Sequence, residues 1–229
     1  MFQIPTDCSR FAWLMLRSKF ISCDHNRALK FREENAEIFN RKPYIDPKMI
    51  ISMAKLRDWA IDHGATPMLS SWLRECDIIY HTYDVDFAFF SHEYYDEMIK
   101  DIQETTFMQM NMRLNFPEDL LELKVFMLHR NVDIFFIYNN GTVSWIGGLD
   151  GTQRYRFIYP LIKEVCSTIL LDYLMYVPCN ALDVIKADYG DEWTKLVHSS
   201  KYHWNLTPHS VQMAGRYTQQ ESKNAIQQY

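Results

Sequence analysis

Apolar and polar positions repeat along this chain with the periods of helices and strands. Between residues 46 and 63, apolar side chains recur at alternating spacings of four and three, so they share one face of a predicted α-helix. Asp46 and Pro47 suit the start of that helix, and Gly64 suits its end. Further helices are predicted over residues 24–41, 92–103 and 181–189.

Strand-like alternation follows in the middle of the chain. In residues 106–114, methionines and a leucine point to one side and polar residues to the other, which is typical of a half-buried strand. The segment 139–142 contains an Asn-Gly pair, which favours a tight hairpin turn. Residues 66–69 are predicted to be a short extended segment, and the predicted strands cover residues 76–90, 106–114, 122–128, 131–138, 143–146 and 155–159.

Three segments are less regular. We predict a loop over Gly147–Gly151, a helix followed by a strand over residues 160–177, and little structure after Gly215. Helices therefore come first and several strands follow. This order predicts an α+β fold in which helices pack on a mixed sheet.

The predicted strand over residues 76–90 carries two aspartates. Asp84 and Asp86 are two positions apart and point to the same face, while Val85 and Phe87 point to the other. Two neighbouring carboxylates repel each other unless a cation lies between them, and their hard oxygens suit Mg²⁺ or Mn²⁺. The alternative is a half-exposed strand whose aspartates face water, which is the more frequent outcome for so short a motif.

A third aspartate strengthens the metal hypothesis. Asp133 lies between Val132 and Ile134 in another predicted strand, and a buried carboxylate is destabilising unless it is paired or binds a metal. Two aspartates on one strand and a third on a neighbouring strand resemble the arrangement of nucleotidyltransferase-fold enzymes. The alternative for Asp133 is a structural ion pair, for example with Arg130 or Arg74.

Composition and charge narrow the class of protein. The chain has 229 residues, of which 48% are hydrophobic, so it can bury a large core. No stretch approaches the ~20 apolar residues of a membrane helix, and we expect no membrane anchor in this chain. The net charge of −5 argues against nucleic acid as a partner.

The cysteines are scattered and form no C-x-x-C pair, so a structural zinc site is not expected. Their odd number leaves at least one without a partner in the chain, and we expect most of them to be buried free thiols. The five cysteines are Cys8, Cys23, Cys76, Cys166 and Cys179.

Several segments together resemble the fukutin family, a group that includes fukutin-related protein and the bacterial phosphocholine transferases of the LicD type. Residues 72–79 and 81–87, around the acidic strand, carry the first part of the likeness. It continues at residues 132–134 and returns as Pro-Cys-Asn at 178–180 and Tyr-Gly-Asp-Glu-Trp at 189–193. Each segment alone is weak, whereas the set is fairly specific.

The resemblance implies a function. Fukutin-like proteins move ribitol 5-phosphate from a CDP donor to a glycan in the Golgi lumen, and LicD-type relatives move phosphocholine. We therefore expect a metal-dependent transferase of protein glycosylation with a CDP-linked donor, a glycan or glycoprotein acceptor and family partner proteins. On this resemblance Asp84 and Asp86 hold Mg²⁺ or Mn²⁺, while Asp133 completes the catalytic site or accepts the hydroxyl proton.

The resemblance also sets the predicted domain limits. An N-terminal extension with a helix occupies residues 1–43, and a nucleotidyltransferase-like, fukutin-type domain occupies residues 44–215. A flexible tail is expected over residues 216–229.

One departure from the family bears on activity. The family carries a glycine-containing turn before the acidic strand, whereas residues 68–71 contain no glycine. We predict Ser70, Ser71 and Arg74 as the nucleotide- or phosphate-binding residues, although serine lets a backbone approach phosphate less closely than glycine does. The alternative function is a catalytically inactive member that binds or scaffolds a glycosylation complex, and a side chain such as Trp72 in the phosphate space would favour it.

Overall fold

The computed structural model describes residues 8–70, 72–198 and 201–229. Helices pack on a mixed, mostly antiparallel sheet of eleven strands, so the predicted α+β fold is confirmed. Within those residues, no helix has the length and apolar character that crossing a membrane requires.

Four helices come first along the chain, and the strands follow with three further helices among them. The helices are α1 (Cys8–Arg17), α2 (His25–Glu34), α3 (Ala36–Phe39), α4 (Met49–Asp62), α5 (Met98–Gln103), α6 (Ala181–Tyr189) and α7 (Gln219–Ala225). The strands are β1 (Met68–Leu69), β2 (Asp84–Phe90), β3 (Gln109–Phe116), β4 (Asp119–Met127), β5 (Arg130–Asn139), β6 (Val143–Asp150), β7 (Gln153–Pro160), β8 (Val165–Leu170), β9 (Tyr173–Pro178), β10 (Val211–Arg216) and β11 (Ile226–Gln228).

Strand β5 is the centre of the sheet. β2 runs parallel along one of its edges, and β4 runs antiparallel along the first part of the other edge. β6 pairs with the end of β5, at Tyr138 and Asn139, and continues the sheet through β7 and β10. Beyond β2 the sheet runs through β1, β9 and β8, and beyond β4 it runs through β3 and β11. The sheet therefore forks at β5.

One face of the three central strands builds the main core. Val85, Val132 and Val125 lie side by side across β2, β5 and β4, and all three are buried. Met49 and Met53 of α4 belong to the same buried cluster. Because side chains alternate along a strand, the intervening residues of the same strands face the other way, and there they line the cavity described below.

The predicted helix over residues 46–63 forms with a small shift at its start. Asp46 Oδ1 accepts a hydrogen bond from the backbone N–H of Lys48 at 2.8 Å, so the aspartate caps a turn and the helix begins at Met49. Gly64 follows its last turn with a φ of +81°, a conformation that glycine adopts without strain.

The strand predicted over residues 76–90 begins only at Asp84. Residues 76–83 form turns and loop, with Cys76 at a φ of +52°. Neighbouring segments hold this loop in place, since the carbonyl oxygen of Tyr80 accepts hydrogen bonds from the N–H groups of Tyr44 and Ile45. These tertiary contacts outweigh the strand propensity of the local sequence.

The loop predicted over Gly147–Gly151 is wrong, because Gly147 and Gly148 lie inside β6. A Cβ atom at Gly147 would overlap the backbone of Leu120, and one at Gly148 would lie 2.7 Å from the Trp204 ring. Glycine is needed here because backbone and ring approach the strand closely, and not because the chain turns.

The helix predicted within residues 160–177 is also wrong. β8 and β9 form a hairpin instead, and Leu171 and Asp172 occupy its turn with φ angles of +47° and +67°. The apolar sequence suits a buried helix or a buried strand equally. Pairing of β9 with β1, which places Tyr176 beside Met68, decides for the strand.

The prediction of a flexible tail over residues 216–229 is wrong as well. Thr218 and Glu221 form a capping box at the start of α7, and Ser222 and Ala225 are buried. β11 then pairs with β3. A short helix and an edge strand need few apolar side chains, so the polar composition hid both elements.

Four of the five cysteines form disulfides, which corrects the expectation of free thiols. Cys23 pairs with Cys76, and Cys166 pairs with Cys179. The second bridge links β8 to the end of β9, and the first links the start of α2 to the loop before β2. Cys8, the fifth cysteine, is exposed and lies outside both bridges.

We predict that Gly147→Ala destabilises the fold by at least about 2 kcal/mol, since overpacking against a fixed backbone costs about 1–3 kcal/mol. Urea unfolding of wild type and variant measures the difference. Gly141→Asn is the control, because a Cβ there meets open space and asparagine tolerates its φ of +86°. Equal losses in both variants would contradict the close approach of β6 to Leu120.

Candidate functional site

The parallel pairing of β2 and β5 builds an acidic cluster. Asp86 lies opposite Asp133 in that pairing, and Asp84 precedes Asp86 on the same face of β2. Carboxylate oxygens of the three residues lie within 4.8 Å of one another. Asp133 is buried, whereas Asp84 lies at the open edge. The structure thus brings together all three aspartates that the sequence analysis selected.

Strand β4 adds a lysine and a fourth acid. Lys124 lies opposite Asp133, and its Nζ is 2.7 Å from Asp133 Oδ2 and 2.5 Å from Glu122 Oε1. Among the described residues, the ion pair of Asp133 is made with Lys124 and not with Arg130 or Arg74. The other oxygen of Asp133, Oδ1, is buried and has no hydrogen-bond partner there.

Burial and repulsion both act on the acids of this cluster. Burial, and then the charges of Asp84 and Asp133, raise the pKa of Asp86 well above its usual value. Burial is also the main cause that raises the pKa of Asp84, and it raises the pKa of Glu122 to about 7. For Lys124, burial lowers the pKa, but attraction to Glu122 and Asp133 outweighs this effect and raises it. Negative charge is therefore in excess at the site, which favours a proton or another cation.

The cluster lies in a cavity of about 790 Å³. Ser70 and Arg74 line this cavity, and the N–H of Ser70 donates to the carbonyl oxygen of Asp86 at 3.1 Å. Ser71 lies outside the described residues. Trp72 is 1% exposed and packs in the main core instead of lining the cavity. The space beside the aspartates is therefore large enough for a nucleotide-sized ligand.

Acidic side chains outnumber basic ones in the described lining of this cavity. Arg74 and Lys124 are its arginine and lysine residues. The acidic residues are Asp77, Asp84, Asp86, Glu122, Asp133, Asp150 and Asp188. An anionic ligand would meet a negative surface here unless a cation neutralised part of it.

Aromatic side chains form another wall of this cavity. They come from β7, α6 and the segment before β10, and are Phe157, Tyr159, Tyr189, Tyr202 and Trp204. Asp188 holds this wall together, since it accepts hydrogen bonds from Ser210 Oγ and, at 3.4 Å, from the Tyr159 hydroxyl. Its backbone oxygen also accepts from the N–H of His209 at 2.8 Å. Burial raises the pKa of Asp188 to about 6.

Two arginines of β7 lie outside the lining of the cavity. Arg154 and Arg156 both bind Asp119 Oδ2, at 3.0 and 2.6 Å. Their guanidinium groups also lie over the rings of Tyr217 and Trp145. These contacts give both arginines a structural role.

The fold and the aspartate cluster together define an α+β protein with a candidate cation site in a cavity. The chain is 29% identical over 236 residues to the ribitol-5-phosphate transferase FKTN of Mus musculus, a match that covers 99% of this chain and 50% of the relative. The human protein of the same name is 28% identical with the same coverage. An uncharacterized protein of Caenorhabditis elegans is 29% identical over 99% of this chain and 62% of its own length.

These matches confirm the predicted resemblance to the fukutin family. The chain spans about half of the FKTN sequences it matches. No family model matches the chain. No solved structure matches it either.

Sequence reasoning missed three residues of the site. Lys124 and Glu122 lie on the polar face of β4, and their alternation with Leu123 and Val125 was a signal that they face away from the core. Asp188 lies inside α6 without any motif, so its place in the cavity wall follows only from the packing of α6 on β7.

We predict that the free energy of unfolding decreases less between about pH 4 and pH 6 in Asp188→Asn than in wild type. A raised pKa means that the folded chain keeps a proton which the unfolded chain releases, so folding weakens as pH rises through this window. Asparagine does not titrate, and the variant should gain on the order of 1–2 kcal/mol relative to wild type from pH 4 to pH 7. The carboxyl group faces a cavity that admits water, which keeps this figure below the full effect of the shift.

Urea unfolding at several pH values measures both proteins. Asp172→Asn, in the β8–β9 turn, is the control and should follow the wild-type profile. If Asp188→Asn also showed the pH profile of wild type, burial would not raise the pKa of the Asp188 carboxyl group.

Proposed function

We propose that this chain is a metal-dependent transferase that moves a phospho-alditol group, such as ribitol 5-phosphate, from a CDP donor to a glycan. The proposal rests on one observation: Asp84, Asp86 and Asp133, on two parallel strands, lie close together in a cavity. Similarity to proteins named ribitol-5-phosphate transferase supports the choice of transferred group.

The chemistry of the cluster fits a divalent cation. Its ligand atoms are hard carboxylate oxygens, which suit Mg²⁺ or Mn²⁺. Oδ1 of Asp133 is a buried acceptor without a hydrogen-bond partner in the described parts of the chain, so it has a lone pair to offer. Burial, and then repulsion between the carboxylates, raises the pKa of Asp84 and Asp86, and a cation would favour their charged forms. When bound, the cation would neutralise charge on the donor phosphates and on the departing CMP.

The residues of the chain would divide the remaining tasks. Asp84, Asp86 and Asp133 would hold the metal. Lys124 fixes the carboxylate of Asp133 through Oδ2, which leaves Oδ1 available either as a ligand or to accept the proton of the attacking hydroxyl. The reaction would form a bond between this hydroxyl oxygen and the phosphorus next to the alditol and break the phosphoanhydride bond to CMP. Positioning and charge neutralisation provide most of the acceleration in such transfers.

Ser70 and Arg74 would contact the donor. Both line the cavity with the aspartates, and the guanidinium group of Arg74 brings one of its few positive charges. The inactive scaffold was the alternative, and it required a side chain such as Trp72 in the phosphate space. Trp72 is buried in the core, so this observation does not favour the scaffold.

The disulfides support a secretory-pathway location, such as the Golgi lumen. Bridges like Cys23–Cys76 and Cys166–Cys179 form and persist in oxidising compartments and are rare in the cytosol. We include this location in the proposal together with the glycan acceptor.

We predict that Asp84→Asn weakens Mn²⁺ binding and CDP-ribitol-dependent transfer by about 100-fold or more, because Asp84 would be a direct metal ligand and loss of even an outer-shell partner of a metal costs about 10–100-fold in affinity or activity. Calorimetric titration with Mn²⁺ measures binding, and release of CMP from CDP-ribitol, CDP-glycerol and CDP-choline measures turnover and donor choice. Asp150→Asn is the matched control, since Asp150 lines the same cavity outside the cluster. Metal binding that Asp84→Asn leaves unchanged would refute the metal site.

We predict one reactive thiol in the chain produced in a secretory compartment. Maleimide labelling of the denatured chain without reductant should add one tag, on Cys8, and labelling after denaturation and reduction should add five. Mass spectrometry counts the tags. Five tags before reduction would contradict both bridges and the oxidising location.

A further inference from the structure

A second cavity, of about 530 Å³, adjoins the first. Asp77, His81 and Tyr83 line both cavities, so the loop before β2 forms a common wall. Apart from Tyr80 and His198, the other lining residues come from α2, α3 and the segment 41–47, which leads into α4. A ligand in the second cavity would therefore lie next to the strand that carries Asp84.

The second cavity has the opposite charge. Arg32, Arg41 and Lys42 line it, and Asp77 is the acid among its described lining residues. Asp77 is already engaged, since its Oδ2 lies 2.6 Å from Arg32 and its Oδ1 accepts hydrogen bonds from Tyr80 and from the backbone of Ile78. The positive charges of Arg41 and Lys42 are therefore not balanced by Asp77.

Among the described residues, Arg41 and Lys42 have no acidic partner. Arg41 and Lys42 are exposed, and no ion pair of either occurs within residues 8–70, 72–198 and 201–229. The segment is nevertheless held in place, because Tyr44 donates from its backbone to the Tyr80 carbonyl at 2.8 Å. Two adjacent cations on an anchored segment form a site for an anion, although the chain as a whole is acidic.

Aromatic rings lie beside these cations. Tyr44 and Tyr83 have ring centroids 4.5 Å apart and are 44% and 56% exposed. Phe39 and Tyr80 complete the aromatic part of the lining. Exposed rings of this kind offer flat apolar surface to the C–H face of a sugar, while arginine and lysine bind an anionic substituent.

We propose that the second cavity binds an anionic sugar of the acceptor, one that bears a phosphate or a carboxylate. Arg41 and Lys42 bind the anionic group, and Tyr44 and Tyr83 pack against the ring. The common wall then directs a neighbouring hydroxyl of the acceptor towards the aspartate cluster. This assignment of the acceptor side rests on the proposed transferase function, whereas the binding of an anionic sugar does not.

The test uses three probes that share a ring and differ in charge: glucose 6-phosphate, glucuronate and glucose. Each is titrated into the whole chain with NMR detection. The double variant Arg41→Gln/Lys42→Gln removes the two cations, and Lys163→Gln/Lys223→Gln is the control, because it makes the same change in net charge at exposed lysines outside both cavities. Melting temperatures of both variants verify folding.

We expect at least one anionic probe to bind more tightly than glucose, and the Arg41→Gln/Lys42→Gln variant to weaken it about tenfold or more, as expected for lost charged hydrogen bonds. The control should bind as wild type does. Preference for glucose 6-phosphate or for glucuronate identifies phosphate or carboxylate as the recognised group. Equal binding of glucose and both anions, no binding by wild type, or equal effects of the two double variants would overturn the proposal.

Two further measurements separate this inference from the transferase proposal. Asp84→Asn should bind the anionic probe as wild type does. If wild type bound the probe but showed no transfer, the transferase proposal would be refuted and the anion site would stand. CDP with Mn²⁺ should leave the probe bound. Displacement of the probe by CDP would place the donor phosphates in the second cavity and overturn its assignment to the acceptor.

Discussion

The register between β2, β5 and β4 is the constraint on which the site depends. Val85, Val132 and Val125 lie in one row on the core face. Side chains alternate along each strand, so the next row, on the opposite face, must be Asp86, Asp133 and Lys124. A slip of one residue in any of the strands would bury a charge and expose an apolar side chain. Burial of the core thus forces the carboxylates together.

This enforced proximity makes the cluster electrostatically costly. Four carboxyl groups share the cavity face near a single ammonium group, and burial together with their mutual repulsion raises the pKa of Asp86 and Glu122. Lys124 offsets part of it by binding Glu122 and Asp133 together. Removal of one partner from such a buried group leaves an uncompensated charge. The remaining excess is what the proposed divalent cation would neutralise.

The sequence was sufficient for features that depend on local periodicity. Alternation predicted that Asp84 and Asp86 share a face, and Asp133 stood out as a charge between apolar neighbours. It was insufficient where long-range contacts decide. Lys124 acquires its role from an antiparallel register that no local pattern specifies, and Gly147 resembles a loop residue until Leu120 is seen to lie against it. The pairing of Cys23 with Cys76 likewise follows from the packing of α2 against the loop before β2.

The glycine-free segment before Trp72 has a physical explanation in the sheet. β1 is inserted between β2 and β9, so Met68 is fixed by strand pairing on both sides and Leu69 by pairing with β2. Ser70 continues this pairing through its hydrogen bond to Asp86, which places its backbone beside the acidic strand without a special φ angle. The indole of Trp72 then turns into the core and leaves the cavity open. Glycine supplies close approach where a chain must turn near a ligand. Up to Ser70, this chain reaches the aspartates as a strand, so the requirement for glycine does not arise there.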